Sequence, residues 1–444
     1  MTDKILAAIT KCTPQRWRWI LDHEGFRRYF SNTGWMFVGQ LFSLLASFFI
    51  GTWVARYLGP QDYGVVNYVV AFVGLFSFLA PLGVDSILNR ELVKHPEQRD
   101  LLLGTSLRLK LIGGGLALIA SILAAFLIET APGIRFLIML YSVIFIFQAF
   151  NIISTFFQSN VAAKNNVRAQ LTASVITSFL KILMIIFGFG VLALTLIYVL
   201  DIFWQGLGLV AAYKREGLAL GAWRYDPNLA RRLWQDSWPL MLAGAAALIY
   251  IRIDQVMIGR MLGETAVGIY SAAVRVVEVL YFIPSIISTS LFPAIVNAKK
   301  IGAELYRRRV KNFYILVFVL AVVLALPISW LSGFIIHFLF GPAYASAAPV
   351  LRVYAWSSVG LFLGWAMGQC LIVENKILTI FVTNLLAVLM NVGLNLLLIP
   401  RFGIRGAAIA TLISYLVTPA VVIIESYRRP RTKAGSIQQR PDQL

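Results

Sequence analysis

The chain has 444 residues, of which 59% are hydrophobic and 13% are charged, and its formal net charge is +19. This composition is too apolar for a soluble globular protein, and the long continuous apolar stretches exclude the alternating strands of a β-barrel. A bilayer core of roughly 30 Å requires about 20 apolar residues per helix, and backbone groups within it must bond internally. The sequence therefore predicts an all-α, polytopic membrane protein.

About twelve transmembrane helices are predicted, with a basic amphipathic segment before them and a basic tail after them. The predicted spans are 34–55, 64–84, 109–128, 134–154, 171–189, 192–212, 238–259, 267–292, 313–336, 346–372, 377–399 and 404–425. The longest polar interruption, 213–237, separates a six-helix N-terminal lobe, 34–212, from a six-helix C-terminal lobe, 238–425. The flanking segments 1–33 and 426–444, and the central loop 213–237, are predicted to be cytoplasmic.

The distribution of basic residues explains the net charge. With the N-terminus inside, most of the 39 Lys and Arg residues fall on cytoplasmic segments. The outside loops and their flanks hold only six, namely Arg56, Arg135, Arg260, Arg352, Arg401 and Arg405. This asymmetry is what the positive-inside rule describes, so the basicity indicates topology and does not predict a nucleic-acid partner. Both termini are expected in the cytoplasm, and the protein in the inner membrane.

The two predicted lobes share a sequence pattern. Arg56-Tyr57-Leu58-Gly59 is followed by Gly64, and Arg260-Met261-Leu262-Gly263 is followed by Gly268, at a constant offset of 204 residues. The paired glycines suit a tight turn or a close backbone approach. Because six helices return the chain to the same side, this pattern predicts a parallel repeat about an axis along the membrane normal.

Motifs for catalysis or for metal and cofactor binding are absent from the sequence. The cytoplasmic segments contain no G-x4-G-K-[ST] sequence, so ATP hydrolysis is not encoded there. The three histidines and two cysteines are scattered, and paired carboxylates or a nucleophile with a base are lacking. We therefore expect neither a metal nor a cofactor, and we do not expect an enzyme.

Several short segments resemble one family of transporters. They are Ala55-Arg56-Tyr57-Leu58-Gly59-Pro60-Gln61-Asp62-Tyr63-Gly64, Asn89-Arg90-Glu91, Asp254-Gln255-Val256-Met257-Ile258-Gly259, Leu291-Phe292-Pro293, Leu339-Phe340-Gly341-Pro342-Ala343-Tyr344 and Pro400-Arg401-Phe402-Gly403-Ile404-Arg405-Gly406. Their order and spacing resemble the polysaccharide transporters, that is, the Wzx-type O-antigen flippases of the multidrug/oligosaccharidyl-lipid/polysaccharide (MOP) superfamily. The similarity extends over nearly the whole chain.

This resemblance implies a V-shaped bundle of two lobes around a central cavity. It also implies alternating access driven by a proton or sodium gradient, which moves a polyprenyl-pyrophosphate-linked oligosaccharide across the membrane. The partners would be this lipid-linked glycan, membrane lipids, the coupling ion and other proteins of polysaccharide assembly.

Charged residues within the predicted spans are the candidates for transport, because charges there are costly and usually face a wet interior. They are Lys181, Asp201, Arg252, Asp254, Arg275 and Glu278. Lys181, Arg252 and Arg275 are predicted to bind the pyrophosphate, since Arg presents a bidentate fork of donors. Asp254 and Glu278, followed by Asp201, are predicted to couple ion movement.

The positions of these residues on their helices lead to further predictions. Arg275 and Glu278 are three residues apart and share a helix face, whereas Arg252 and Asp254 point in different directions. Gln205 and Trp204 accompany Asp201 and would offer a polar stripe with a stacking surface for a sugar. Two arginines at span ends, Arg56 and Arg90, are secondary candidates.

Other interpretations remain open from the sequence. The intramembrane charges would also suit ion pairs that fix helix packing without a ligand. A drug or cation antiporter of the same superfamily, or a lipid II flippase, would share the architecture. A membrane glycosyltransferase or O-antigen polymerase would need a larger extramembrane segment than the short outside loops provide.

Overall fold

A computed structural model describes residues 24–374 and 376–428 of the chain. These residues form helices joined by short turns, and no strand occurs among them. The predicted segment 1–33 and tail 426–444 lie largely outside the described residues.

The helices are numbered in chain order, with short 3₁₀ turns between some of them. They are α1 (Glu24–Gly74), α2 (Val84–Lys94), α3 (Arg99–Ile128), α4 (Pro132–Ser142), α5 (Ile144–Gln148), α6 (Ile152–Ser159), α7 (Ala163–Ile186), α8 (Val191–Arg215), α9 (Pro227–Leu262), α10 (Glu264–Glu278), α11 (Phe282–Ile301), α12 (Ala303–Trp330), α13 (Ser332–Phe340), α14 (Ala348–Tyr354), α15 (Ser357–Val373), α16 (Ile377–Phe402), α17 (Ile404–Tyr415) and α18 (Val417–Arg428).

The prediction of a polytopic helical membrane protein is confirmed. Ten helices of the described region are long and apolar enough to cross a membrane, and a bent pair, Pro342–Tyr354 with Ser357–Val373, makes eleven. The difference from twelve arises in α1, a run of 51 residues that would be about 76 Å long if straight. The chain departs from helical geometry inside this run at Gly59, so α1 contains the first predicted span and the start of the second.

Gly59 and Gly263 have the same backbone conformation at equivalent positions of the two halves. Gly59 has φ 75° and ψ 173°, and Gly263, between α9 and α10, has φ 86° and ψ 175°. This left-handed φ favours glycine, which has no Cβ to clash with the backbone. The shared R-x-L-G sequence therefore marks the same helix break in both halves, as the repeat predicts.

The second predicted span, 64–84, is not a single helix. Helix α1 ends at Gly74, residues 75–83 form successive turns, and α2 continues from Val84 to Lys94. Leu82 and Gly83 both have positive φ, at 49° and 72°. Hydropathy detects the apolar stretch, but it does not detect such a break, because the turn residues are as apolar as the helix.

Three other differences concern the boundaries of the helices. Predicted span 134–154 is divided into α4, α5 and α6, and predicted span 267–292 is divided into α10 and α11. Helix α9 begins at Pro227, within the predicted loop 213–237, and the Asp226 side chain caps it by accepting a hydrogen bond from the Asn228 amide at 2.8 Å. The cap explains why the helix starts before the apolar residues do.

The buried hydrophobic residues form clusters within each half of the chain and at the interface between the halves. One cluster around Leu103, Phe157 and Tyr213 belongs to the first half, and one around Phe313 and Phe362 belongs to the second. A larger third cluster combines residues of both halves and joins them. Many large apolar side chains remain exposed on the outer faces, as expected where lipid is the solvent.

Candidate functional site

The first half contributes a lysine, a tyrosine and an aspartate to the interface between the halves. On α7, Thr177 and Lys181 lie one turn apart, and on α8, Tyr198 and Asp201 share a face. The Lys181 Nζ atom lies 5.0 Å from the centre of the Tyr198 ring, a cation–π distance. The Thr177 hydroxyl donates to Asp201 Oδ1 at 2.9 Å, and Asp201 also interacts electrostatically with Lys181.

Arg275 of α10 crosses from the second half to the first. Its Nη2 atom donates to the Ser47 carbonyl oxygen of α1 at 2.6 Å and lies 3.3 Å from the Ser47 hydroxyl. The Tyr63 and Tyr198 hydroxyls and the Lys181 ammonium group also interact with the Arg275 guanidinium group. Arg275 and Lys181, predicted separately from two spans, are therefore brought together at the interface.

Arg252 and Glu278 form the second part of the same site. Arg252 Nη1 of α9 lies 3.4 Å from Glu278 Oε1 at the end of α10, and both side chains are about one-third exposed. Tyr141 of α4 interacts electrostatically with both Arg252 and Asp201, and Glu278 interacts with Arg275, so the two parts belong to one site. Glu278 thus pairs with Arg252 of the neighbouring helix, whereas Arg275, which shares its face of α10, is held by Ser47.

Asp254 lies apart from this site, inside the second half. It is 3% exposed and accepts hydrogen bonds from the Tyr270 hydroxyl, from the Thr411 hydroxyl at 3.3 Å and from the Gln255 amide at 2.8 Å. These partners lie on α10, α17 and α9. Asp254 therefore occupies a polar pocket where three helices of the C-terminal half meet, as its direction away from Arg252 suggested.

The secondary candidates lie at opposite ends of the protein and do not reach the central site. Arg56 donates to the His337 carbonyl oxygen at the end of α13, at 3.4 Å. Arg90 binds Asp236 of α9 at 2.9 Å and Glu91 at 2.9 Å. Arg90 thus joins α2 of the first half to the beginning of α9, and its contact is an ion pair between helices.

A half-buried ion pair of the first half was not predicted from the sequence. Lys110 of α3 binds Asp85 of α2, and the Asp85 carboxylate also accepts from the Thr155 hydroxyl at 3.2 Å. The Lys110 side chain is 3% exposed, whereas that of Asp85 is 45% exposed. Lys110 lies at the edge of the predicted span 109–128, but α3 begins at Arg99, about 16 Å earlier along the helix.

The arrangement therefore has two distinct polar regions. The first, which we call the charged site, comprises Lys181, Asp201, Arg252, Arg275 and Glu278 at the interface between the halves. Its three cations and two carboxylates leave a net positive charge. The second is the Asp254 pocket within the second half.

Comparison with known proteins identifies the family. The family model described as "Polysaccharide biosynthesis protein" matches residues 30–299, more than half of the chain. The chain belongs to this family. A second family model, MatE, matches residues 239–397. The resemblance inferred from the sequence is thereby confirmed.

Proteins similar to this chain occur in Haloferax volcanii and Methanocaldococcus jannaschii. The "Probable flippase AglR" of Haloferax volcanii is 28% identical over 260 residues, which cover 54% of this chain and 50% of AglR. The "Probable low-salt glycan biosynthesis flippase Agl15" of the same organism is 23% identical over 387 residues, covering 86% of this chain and 80% of Agl15. An uncharacterised membrane protein of Methanocaldococcus jannaschii is 27% identical, and the match covers 44% of this chain and 38% of that protein. The chain thus matches half or less of the length of two of these three relatives.

Solved structures show the same fold. The lipid II flippase MurJ, in an inward closed conformation, has a TM-score of 0.68 at 14% identity, covering 88% of this chain and 87% of MurJ. An outward-facing multidrug resistance MATE family transporter of the MOP superfamily has a TM-score of 0.64 at 18% identity, covering 91% and 97%. The chain therefore has the helical fold of these transporters.

Proposed function

We propose that this protein flips a polyprenyl-pyrophosphate-linked oligosaccharide across the cytoplasmic membrane by ion-coupled alternating access, and that it is not an enzyme. The observation that carries this proposal is the charged site, where Lys181 comes from one half and Arg252 and Arg275 from the other. A transported anion at this position would contact both halves at once. The relative named as a low-salt glycan biosynthesis flippase supports the glycan as cargo, and the relative named as a probable flippase supports the flipping activity.

The chemistry of the site suits a pyrophosphate. Arg252 and Arg275 each offer a planar fork of donors for phosphate oxygens, and Lys181 adds a compact charge. Burial between apolar helices strengthens these interactions, because the surroundings have a low dielectric constant. Asp201 and Glu278 offset the cations when no anion is bound, which lowers the cost of the charges within the membrane.

Arg275 also links substrate binding to the relative position of the halves. Its bonds to Ser47 hold α10 against α1. A pyrophosphate that takes up the Arg275 donors would compete with Ser47 and loosen this contact. Alternating access would follow, because a ligand shifts a conformational equilibrium by the difference in its affinity for the two states.

Asp254 is the proposed coupling residue, and Glu278 the second candidate. A carboxylate enclosed by hydroxyl groups in the membrane interior is a common place for a transported proton or a sodium ion. Helices α9, α10 and α17 meet at Asp254, and α9 and α10 also carry Arg252 and Arg275. A change of charge at Asp254 would therefore act on helices that hold the charged site.

The proposed location is the inner membrane with both termini in the cytoplasm. The basis is the excess of basic residues on one set of loops. The central loop and the flanking segments 1–33 and 426–444 would then lie on the cytoplasmic side. Other proteins of polysaccharide assembly, on either side of the membrane, would supply the lipid-linked glycan and remove it.

The function is tested by deleting the gene and following the lipid-linked glycan and the surface polysaccharide. We expect the lipid-linked glycan to accumulate on the cytoplasmic face while the surface polysaccharide disappears, and the wild-type gene to restore it. Retained surface polysaccharide with lost drug resistance would favour an antiporter. Glycosyl transfer by the purified protein would show an enzyme instead.

A further inference from the structure

A polar cavity of about 170 Å³, separate from the charged site and the Asp254 pocket, lies in the first half between α1, α6, α7 and α8. Its remaining lining is apolar, from Ala163, Val167 and Leu209, and no charged side chain lines it. The polar side chains around it are Gln40, Ser154, Gln158, Asn166, Gln170 and Gln205. We call this space the amide-lined cavity, since five of these six side chains are amides.

Most of the hydrogen-bonding capacity of these amides is unused by the protein. Among the described residues, Gln40, Gln170 and Gln205 make no side-chain hydrogen bond. Asn166 donates to the Ser154 carbonyl oxygen at 3.0 Å, but its own Oδ1 atom is buried without a partner. Amide groups in an apolar interior are costly unless they are bonded. Gln40 and Gln158 are exposed, and Gln158 donates to the Ser154 hydroxyl at 3.4 Å, whereas Asn166, Gln170 and Gln205 are half-buried. These three half-buried amides around one cavity indicate a polar occupant.

The amide-lined cavity is aligned with the charged site along three helices. Each of these helices carries one amide of the cavity and one residue that belongs to the charged site or contacts it directly. The two residues of each pair are four or seven positions apart, so they lie on the same face of their helix. The pairs are Gln40 with Ser47 on α1, Gln170 with Thr177 on α7, and Gln205 with Asp201 on α8. These spacings correspond to about 6 to 10 Å along a helix.

All three pairs are displaced in the same direction. The amide precedes its partner on α1 and on α7, and follows it on α8, which runs antiparallel to them. The amide-lined cavity therefore lies on one side of the charged site, toward the end of the protein that contains the beginning of α7. The positive-inside pattern places this end in the cytoplasm.

Uncharged amides that both donate and accept match the hydroxyl and acetamido groups of sugars, and they offer no charge to a phosphate or a cation. In a pyrophosphate-linked glycan the first sugar is bonded directly to the pyrophosphate. We propose that the amide-lined cavity binds this first sugar while the pyrophosphate lies at the charged site. This inference rests on the proposed function and assigns the sugar-binding subsite that the charged site lacks.

The cavity also limits the ligand by its size. A volume of about 170 Å³ is comparable with that of one sugar ring and is too small for an extended oligosaccharide. The remaining sugars would extend past α1 and α7 into the cytoplasm. The site would thus select a glycan by its first residue and tolerate variation further along it.

Binding measurements by native mass spectrometry on the purified full-length protein test this subsite. The probes are bare polyprenyl pyrophosphate and the same lipid carrying N-acetylglucosamine, N-acetylgalactosamine, glucose or galactose. We expect the wild-type protein to bind at least one sugar-bearing probe about tenfold more tightly than the bare lipid, from two or more additional hydrogen bonds. Gln170→Leu with Gln205→Leu is expected to remove this preference and to leave binding of the bare lipid unchanged.

Two further variants separate sugar binding from a structural role of the amides. Asn165→Leu is the matched control, since Asn165 is adjacent to Asn166 on α7 but donates to Glu216 at 2.9 Å and does not line the cavity. It is expected to keep the sugar preference. Gln205→Asn keeps an amide and is expected to retain part of the preference, which a loss of helix packing would not explain.

The outcomes distinguish this inference from the function on which it rests. A sugar preference that persists in the double leucine variant, or that is absent from the wild-type protein for all four sugars, overturns the amide-lined cavity as a sugar subsite. Failure of the folded wild-type protein to bind any pyrophosphate lipid counts instead against the proposed function.

Discussion

Gly64 and Gly268 contact each other where the two halves meet, at equivalent positions of the repeat. A side-chain carbon on Gly64 would collide with the Glu264 carbonyl group, and one on Gly268 would collide with the Pro60 carbonyl group. Pro60 and Glu264 are related by the same offset of 204 residues. The contact is therefore reciprocal, as expected across a twofold axis. The first glycine of each R-x-L-G-x4-G pattern breaks the helix, and the second lets the two halves close.

We expect Gly64→Ala to weaken this closure, because the added methyl group has no room against the backbone of α10. The measurement is labelling of a cysteine introduced at Ser47 by a membrane-impermeant maleimide added outside, in a background with Cys12 and Cys370 replaced by serine. Gly64→Ala is expected to raise the labelling rate several-fold, since Ser47 is held against Arg275 only while the halves are together.

Gly115 on α3 provides the control for this substitution. A side-chain carbon at Gly115 would meet no atom within 4 Å, so Gly115→Ala is expected to leave Ser47 labelling unchanged. Equal labelling in the Gly64→Ala, Gly115→Ala and unsubstituted proteins would contradict the assignment of Gly64 and Gly268 to closure of the halves.

Arg275 is expected to be the most sensitive residue of the charged site. Arg275→Ala removes the bonds to Ser47 and the proposed pyrophosphate donors, so export should be lost. Arg275→Lys keeps the charge without the bidentate fork and should retain partial export. The measurement is surface polysaccharide in a deletion strain that carries each variant at matched protein levels. Normal export by both variants would remove Arg275 from the head-group role.

The architecture and the charged site were largely predictable from the sequence, for a physical reason. Apolar length alone identifies spans, and a charge within a span must face something polar, so Lys181, Asp201, Arg252, Arg275 and Glu278 were identifiable without coordinates. Which of these residues pair was not predictable. The partner of Glu278 depends on the rotation of α9 relative to α10, and periodicity within one helix does not determine that rotation.

The features that the sequence did not predict are not marked by a charged residue within an apolar stretch. The break at residues 75–83 is apolar, so hydropathy does not detect it. Lys110 was obscured by uncertainty about where α3 begins. The amide-lined cavity draws one or two polar residues from each of four helices, and only Gln205 was named from the sequence. Uncharged amides such as Gln170 are too common in helices to be noticed one at a time.

Reversing the charges of the Arg252–Glu278 pair distinguishes a substrate contact from a structural ion pair. Reversing both charges in Arg252→Glu with Glu278→Arg should restore the thermal stability that either single change lowers, because the attraction is re-formed. If Arg252 binds pyrophosphate, export should stay low in the double variant, since the cation has moved to the other helix. Recovery of export together with stability would show that the pair serves helix packing alone.

Asp254→Asn should separate ion coupling from folding. The asparagine side chain still accepts hydrogen bonds from Tyr270 and Thr411, so the three helices should remain packed. Movement of a fluorescent polyprenyl-pyrophosphate-linked sugar in proteoliposomes should then no longer respond to an imposed proton or sodium gradient. The Thr411→Val variant, which removes one hydroxyl group and no charge, is the control and should respond in part. A full response of Asp254→Asn to the gradients would exclude Asp254 as the coupling residue.

Asp85 and Lys110 should behave as a structural pair rather than as part of the transport site. Asp85→Ala leaves the buried Lys110 ammonium group without its carboxylate, and we expect a loss of about 1–3 kcal/mol of stability, since an unpaired buried polar group costs that much. Lys110→Met added to Asp85→Ala should recover most of this loss, because an apolar side chain of similar length needs no partner. Thermal unfolding in detergent measures both effects. Recovered stability with export still absent would show instead that the pair takes part in transport.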